Sequence, residues 1–384
     1  MIAPTPFFSD RGCHVHIYEE IHALQLLGHT LRLCTYGLGR DVPGIPTVRT
    51  FRLPFHRKTA AGPSPAKLLL LPLLTFTVLR QLFTFRPHII HAHLHEGALI
   101  GLLCRLLRPS VPVVFDWQGS LPEELVQHHL LRRNSPAWRA FLGLERRLLR
   151  NVPVIAGSRE MANAVVRLGG RPDRVLYAQE GVNLELFSPR PLDRALAGSL
   201  GLNPVHRCLV YSGLLEEYQG VHLMLEAFAR IASVLPDLRF LVIGFPNIER
   251  YREQANRLGI GDRTMFPGRV DYWELPRYLS LAAIAIAPKI ANTENDGKLL
   301  NYMSMGLPVA TWDRPLSREI LGTAGIFARY QDPSDLAGRL QQTMENPAEC
   351  GRLGAAARER AEKLFSWHRT ALTITGFYQT LRPS

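Results

Sequence analysis

Short apolar runs recur along the chain, each closed by a glycine-rich or polar turn and followed by a longer segment of helical period. This alternation predicts parallel strands joined by crossover helices. In the first half the candidate strands are Thr30 to Thr35, His88 to Ala92, Val111 to Phe115, Val152 to Ala156 and Val175 to Ala178. A second series runs through Cys208 to Ser212, Arg239 to Ile243, Thr264 to Phe266, Ile284 to Ala287 and Pro308 to Thr311, with helices starting near Val221, Ile248, Trp273, Lys298 and Ser317. Two doubly wound α/β units in tandem are expected, and 384 residues are enough for two hydrophobic cores.

Two prolines interrupt regular pairing in Phe187-Ser188-Pro189-Arg190-Pro191, which places the boundary there and gives units of 1–187 and 188–366. From Cys350 to Leu381 the helical period breaks near Phe365-Ser366-Trp367, predicting a helix, a kink and a second helix.

The charge is uneven. Through residue 180 there are 22 Lys and Arg against 12 Asp and Glu, and thereafter 23 against 21, within a formal net charge of +12. A basic first half suits an anionic substrate, an anionic membrane surface or nucleic acid. The last lacks support, since no interleaving of basic and aromatic residues is present; Leu142, Leu148 and Leu149 among Arg146, Arg147 and Arg150 read as a helix lying over a core. Five scattered cysteines without C-x-x-C spacing, and a start without a basic region and apolar core, lead us to expect a reducing, cytoplasmic location. The run Lys67 to Phe83 is too short and too interrupted, by Pro72 and Arg80, to span a bilayer. It reads either as a buried helix or as an interfacial one, with Arg57, Lys58, Lys67, Arg80 and Arg86 at anionic headgroups and a peripheral position on the inner face of the membrane.

Two segments carry chemistry. Near the start, Arg11-Gly12-Cys13-His14 precedes a helix from Ile17 to Leu27, and Gly12 either lets a ligand approach the helix N-terminus or makes a plain tight turn. Farther on, a strand ends at Lys289, the polar loop Asn292-Thr293-Glu294-Asn295-Asp296 follows, and a helix runs from near Gly297 to Gly306. Such a loop sits at the C-terminal edge of a parallel sheet, the usual ligand crevice. The amides of Gly297, Lys298 and Leu299 can hold a diphosphate, Lys289 and Lys298 add positive charge, and Glu294 or Asp296 can bind sugar hydroxyls.

This stretch, ending in Met303-Ser304-Met305-Gly306-Leu307-Pro308-Val309, resembles the donor-site signature of family 4 glycosyltransferases. Further landmarks stand in the same order: Gly12, Leu27-Gly28-His29, His91-Ala92-His93, Gln118-Gly119, Gly181-Val182-Asn183 with Phe187, Tyr211-Ser212-Gly213, Gly220, Gly244 and Gly268-Arg269. The resemblance implies a GT-B fold, two Rossmann-like domains facing a cleft, with the last helix, 367–384, packing back on the first domain. It implies transfer of a sugar from a nucleotide-sugar donor, with retention of configuration, to a sugar, lipid-linked or small-molecule acceptor such as a cell-envelope lipid or polysaccharide. Carried onto this sequence, it makes Glu294, Gln118 and Lys289 catalytic. It assigns Gly12, Gly213, Gly244, Arg269, Asn295, Asp296, Gly297, Lys298, Leu299 and Asn301 to the donor, and Arg11, His14, His93 and Trp117 to the acceptor side. No cofactor and no metal are expected, as no Asp-x-Asp motif is present.

Departures from the family pattern bear on catalysis. Of its two glutamates, separated by seven residues, the second is matched by Asn301 and the first by Thr293, with Glu294 beside it. The Arg and Lys that usually follow the first strand of the second domain are matched by Leu214 and Gln219, and the first-domain His by Gln118. Either Lys289, Lys298 and Arg11 restore the charge in an active subgroup, or the fold persists as a noncatalytic sugar-nucleotide-binding protein. His88, His91, His93 and His95 suggest a metal, but their alternation reads better as sheet-end hydrogen bonding, with one of them touching the acceptor as the sharper alternative. Trp117 can stack on a sugar or pack in a wall.

Overall fold

A computed structural model describes residues 1–9, 11–53, 66–291 and 295–381. The chain forms two compact units, one of Met1–Glu180 with Asn295 and Trp367–Ser384, the other built from Gly181–Asn292 and Asp296–Ser366. The division falls seven residues before the one expected. Phe187 is fully buried, its ring 5.4 Å from that of Tyr272, and its carbonyl accepts hydrogen bonds from Ser304 Oγ and Arg358, all groups of the second unit. Packing of Phe187, rather than the following prolines, decides where the second unit begins.

In the first unit, β1 (Ile2–Ala3), β2 (Leu33–Thr35), β3 (Thr47–Arg49), β4 (Ile90–His93), β5 (Val113–Trp117), β6 (Val154–Ala156) and β7 (Val175–Tyr177) form one parallel sheet ordered β3-β2-β1-β4-β5-β6-β7. The strand order reverses between β1 and β4, so the loops leaving these two strands diverge and open a crevice at their C-terminal ends. The helix Gly12–Leu26 follows β1 and packs against the final helix, Trp367–Thr380. Their seam is apolar, with Ala23 and Leu24 meeting Trp367, Ala371, Ile374 and Tyr378. Each fully buried leucine or isoleucine there contributes about 1.5–3 kcal/mol.

The leucine-rich segment forms the helix Lys67–Thr84. Leu70, Leu74, Val78 and Leu82, spaced by four, enter the core, while Leu69, Phe76 and Phe83 remain exposed on the other side. The buried-helix reading of the run therefore holds for one face, and the other face is exposed. In the helix Pro136–Asn151, capped by Ser135 accepting from Trp138 N, Leu148 and Leu149 are buried and Arg146, Arg147 and Arg150 point outward, as expected for a helix over a core. Among the described residues, no helix is long and apolar enough to cross a membrane.

The second unit repeats the plan with β8 (Arg207–Leu214), β9 (Leu238–Phe245), β10 (Thr264–Gly268), β11 (Ile284–Ala287), β12 (Val309–Trp312) and β13 (Gly325–Ala328), all parallel and ordered β10-β9-β8-β11-β12-β13. Its order reverses between β8 and β11. The C-terminal helices are Pro347–Leu364 and Trp367–Thr380, broken at Phe365 and Ser366 as the sequence predicts. The strands β3 and β13 were not anticipated. Both are four residues or fewer long and lie at sheet edges, paired on one side only, with β2 and β12.

Candidate functional site

At the reversal point of the second sheet, two glycines lie in register, Gly213 near the end of β8 and Gly244 near the end of β9. Both hold positive φ, 153° and 154°, and a Cβ on Gly244 would fall 1.8 Å from the carbonyl oxygen of Gly213. Gly244 admits no other residue without displacing backbone, while at Gly213 a Cβ would press on the side chains of Tyr211 and Lys298 at a φ that disfavours it. A Cβ on Gly213 would lie 3.1 Å from Lys298 Cε, so the missing side chain makes room for that lysine.

Lys298 sits in the first turn of the helix Gly297–Ser304, which follows the loop leaving β11. Its Nζ donates to Gln219 Oε1 at 2.7 Å and to Asp296 Oδ1 at 2.6 Å, with both Lys298 and Asp296 nearly buried. Burial alone would raise the Asp296 carboxyl, but Lys298, then Lys289 and Arg314, outweigh it and hold the group below its ordinary range. Arg314 also donates to the carbonyls of Lys289 and Ala291, fixing the loop that leaves β11. Beneath it, Tyr302 Oη accepts from Ser212 N at 2.7 Å, tying the helix to β8. The result is a cationic, amide-lined helix start at a sheet's crevice, an arrangement suited to an anion such as a diphosphate.

The first unit gathers a different cluster at its own reversal point. His16 and Glu20, one turn apart on the helix after β1, meet His93 at the end of β4 and Asp116 in β5. Asp116 Oδ2 receives three donors: His93 Nδ1 at 2.7 Å, Gln118 Nε2 at 2.8 Å and His16 Nε2 at 3.1 Å. The other nitrogen of His16, Nδ1, lies 3.0 Å from Glu180 Oε1. Burial would strip the proton from His16, yet Asp116, Glu180 and Glu20 hold it there, raising its pKa well above the usual value. Around this cluster, His91 Nδ1 pairs with Tyr378 Oη at 2.6 Å and His95 Nε2 with Glu145 Oε1 at 2.8 Å.

Several expected roles change. Trp117 is buried and its Nε1 donates to Glu145 at 3.1 Å, so it packs in the core and presents no face for a sugar. His93 is fully buried, and His14 is enclosed between Phe7 and Phe8 with its Nδ1 accepting from Ser9 N. Both side chains lie inside the packed first unit. The amide nitrogen of Gln118 is committed to Asp116. The Leu299 N–H donates to the Asp296 carbonyl at 3.0 Å, which removes it from the amides expected to bind a diphosphate and leaves those of Gly297 and Lys298.

The remaining residues are distributed as follows. Gly213, Gly244, Lys289, Asp296, Gly297 and Lys298 come together around the β8 and β11 ends. Asn301 is half-buried on the same helix, Asn295 half-buried before it, and Arg269 lies outward with its guanidinium 5.2 Å from the centre of the Phe245 ring. Gly12 and Arg11 belong to the first unit, where Gly12 begins the helix after β1 with open space about its Cα. Glu294 lies outside the described residues, as do Asn292 and Thr293. Sequence reading missed His16, Glu20, Asp116 and Glu180; the i, i+4 spacing of His16 and Glu20 directly after the glycine loop was the available signal.

Comparison with known proteins assigns both units to one family. The model described as Glycosyltransferase Family 4 matches residues 11–186, and that described as Glycosyl transferases group 1 matches 206–346. A D-inositol 3-phosphate glycosyltransferase of Thermobispora bispora is 26% identical over 389 residues, spanning 96% of this chain and 89% of its own length. A protein of the same name from Streptomyces bingchenggensis is 27% identical over 247 residues, a match covering 59% of this chain and only 52% of that protein. Among solved structures, Anabaena HepE in complex with UDP and glucose superposes with a TM-score of 0.79 at 18% identity, covering 99% of this chain and 98% of that one. That likeness establishes the fold, GT-B. With a family model matched in each unit and the expected glycines and loop at the second sheet's crevice, the chain belongs to glycosyltransferase family 4 and is a glycosyltransferase.

Proposed function

We propose that the protein transfers a hexosyl group from a uridine diphosphate sugar to an acceptor bearing negative charge, with retention of anomeric configuration and without a metal on the diphosphate. The observation that carries the donor assignment is Lys298. The family's usual lysine is replaced by Gln219, and Lys298 delivers its ammonium to within 2.7 Å of that glutamine's oxygen. The charge lost at one position is thus restored from another, which favours an active subgroup over a decayed site. HepE, of the same fold, was solved with UDP and glucose.

In the proposed reaction the acceptor hydroxyl attacks the anomeric carbon from the face on which the diphosphate departs. The bond from that carbon to the diphosphate oxygen breaks, and a donor phosphate oxygen takes the hydroxyl proton. Lys298, Lys289 and the amides of Gly297 and Lys298 stabilise the departing charge, the dominant contribution in such a step. Glu294 and Asn295 would bind sugar hydroxyls, and Asn301 the ribose. For the acceptor, two relatives are named for D-inositol 3-phosphate. The basic first half, 22 cationic against 12 anionic side chains, suits a phosphorylated acceptor, free or lipid-linked. A cytoplasmic protein peripheral on an anionic membrane surface is the location we propose; the exposed Leu69, Phe76 and Phe83 of Lys67–Thr84 support the membrane contact.

Calorimetric titration with UDP and UDP-glucose, followed by NMR of the product's anomeric centre, tests this reading. Lys298→Met is expected to weaken UDP binding by about 10–100-fold, the loss of one charge-assisted contact. Undiminished affinity in that variant, or an inverted product, overturns it.

A further inference from the structure

We propose that His16, Glu20, His93 and Asp116 form a binding site for one first-row divalent transition-metal ion, zinc being the best match, within the first unit. The sequence motif that superficially suggests a metal is a different one: of its four histidines, His95 is paired with Glu145, His91 with Tyr378, and His88 is exposed. Only His93 joins the cluster, whose other members come from the helix after β1 and from β5. The expectation of no metal rested on the missing Asp-x-Asp motif, which concerns a donor diphosphate and has no bearing on this unit.

The geometry is that of a small coordination shell. One ligand atom from each of the four side chains lies within 4.8 Å of every other. His16 Nε2 is 3.1 Å from Asp116 Oδ2 and 3.5 Å from Glu20 Oε2, and His93 Nε2 is 4.0 Å from Glu20 Oε2. Four ligands about 2.1 Å from a tetrahedral ion stand about 3.4 Å apart, so slight contraction around an ion completes the shell.

Two further observations point to an occupant. Both carboxylate oxygens of Glu20 and the Nε2 of His93 are buried and make no hydrogen bond, Glu20 Oε1 facing only His91 Nδ1 at 3.3 Å and Glu20 Oε2 only His16 Nε2 at 3.5 Å and His93 Nε2 at 4.0 Å. Leaving such atoms unmatched is costly, and a cation would satisfy all three at once. The surroundings also orient the ligands as metal sites do. Glu180 engages His16 Nδ1 at 3.0 Å and so turns Nε2 inward, while Gln118 holds Asp116 at 2.8 Å. Three carboxylates, Glu20, Asp116 and Glu180, converge on His16, and a dication bound at its Nε2 would take the place of the proton that they hold there. Two imidazoles with two carboxylates select zinc-like ions over calcium or magnesium, which prefer all-oxygen shells. Held there, the ion would tie the helix Gly12–Leu26 to the ends of β4 and β5 as a closed, structural site.

The full chain, stripped with a chelator and dialysed against zinc, is expected to retain one equivalent by elemental analysis. Cobalt substituted for zinc should give the intense visible absorption of four-coordinate Co2+, with two paramagnetically shifted imidazole N–H resonances. His16→Ala and Glu20→Gln should each weaken zinc binding by about 100-fold or more, while His29→Ala, outside the cluster, should not. The cobalt spectrum of the unaltered chain decides the matter even where a variant fails to fold. Substoichiometric metal, a six-coordinate cobalt spectrum without imidazole resonances, or equal binding by the folded variants overturns the proposal.

Discussion

Gln219 and Lys298 show how a charge can survive the loss of the residue that ordinarily supplies it. The Lys298 ammonium is shared between Gln219 and Asp296, so the carboxylate fixes the lysine while the lysine keeps the carboxylate ionised. Because the folded pKa of Asp296 lies below its ordinary value, its contribution to stability is present above about pH 4 and is lost as pH falls through the lower folded value. Asp296→Asn should therefore flatten the acid limb of stability, read as urea midpoints between about pH 5 and pH 2; parallel limbs for the two proteins would contradict the assignment. The lysine was legible in the sequence as a loop cation, but its partner was not, since 79 residues separate it from Gln219. The same blindness affected Trp117, His14 and His93. Their types suggest ligand contact, and only the packing around them reveals that Trp117 and His14 are paired inside the core, with Glu145 and Ser9, and that His93 is enclosed there with its Nδ1 on Asp116.

Among the elements, the strands that carry the site were the ones most readable, because β8, β9 and β11 are buried on both faces and so appear as unbroken apolar runs. Ile284–Ala287 coincides with its expected range, whereas β3 and β13 escaped notice as short edge strands whose conformation depends on a neighbour. The close pairing of β8 and β9 beside the crevice depends on the two glycines being in register. Gly244→Ala should destabilise the second unit by about 2–4 kcal/mol, because its methyl group meets the Gly213 carbonyl at a positive φ. Gly12→Ala, with nothing within 4 Å of the added atom, should leave stability nearly unchanged. Hydrogen exchange across the second sheet separates the two cases: comparable protection in both variants would mean that the β8 and β9 edges yield more readily than their backbone contact implies.

For the whole molecule, the excess of positive charge and one set of exposed apolar side chains fall in the same unit. The helix Leu94–Leu107 packs on both Lys67–Thr84 and Pro136–Asn151, so the three lie side by side. Phe76, Phe83 and Leu106 protrude from the first two, with Phe76 72% and Leu106 78% exposed, while Arg80, Arg139, Arg146, Arg147 and Arg150 are exposed on the first and third. Apolar side chains entering the acyl boundary with arginines at the headgroups would hold the protein on an anionic bilayer, and neither set would suffice alone. Cosedimentation with vesicles should show binding to anionic lipid, weak binding to zwitterionic lipid, and release at about 0.5 M salt, where the Debye length shrinks to a few ångströms. Replacing Phe76, Phe83 and Leu106 together by serine should reduce partitioning by about 100-fold, since each removed side chain forfeits about 1 kcal/mol of insertion. UDP affinity should be untouched, because the altered side chains lie in the first unit and Lys298 in the second. Equal partitioning of the triple variant and the unaltered chain would make the contact purely electrostatic and remove the apolar face from the explanation.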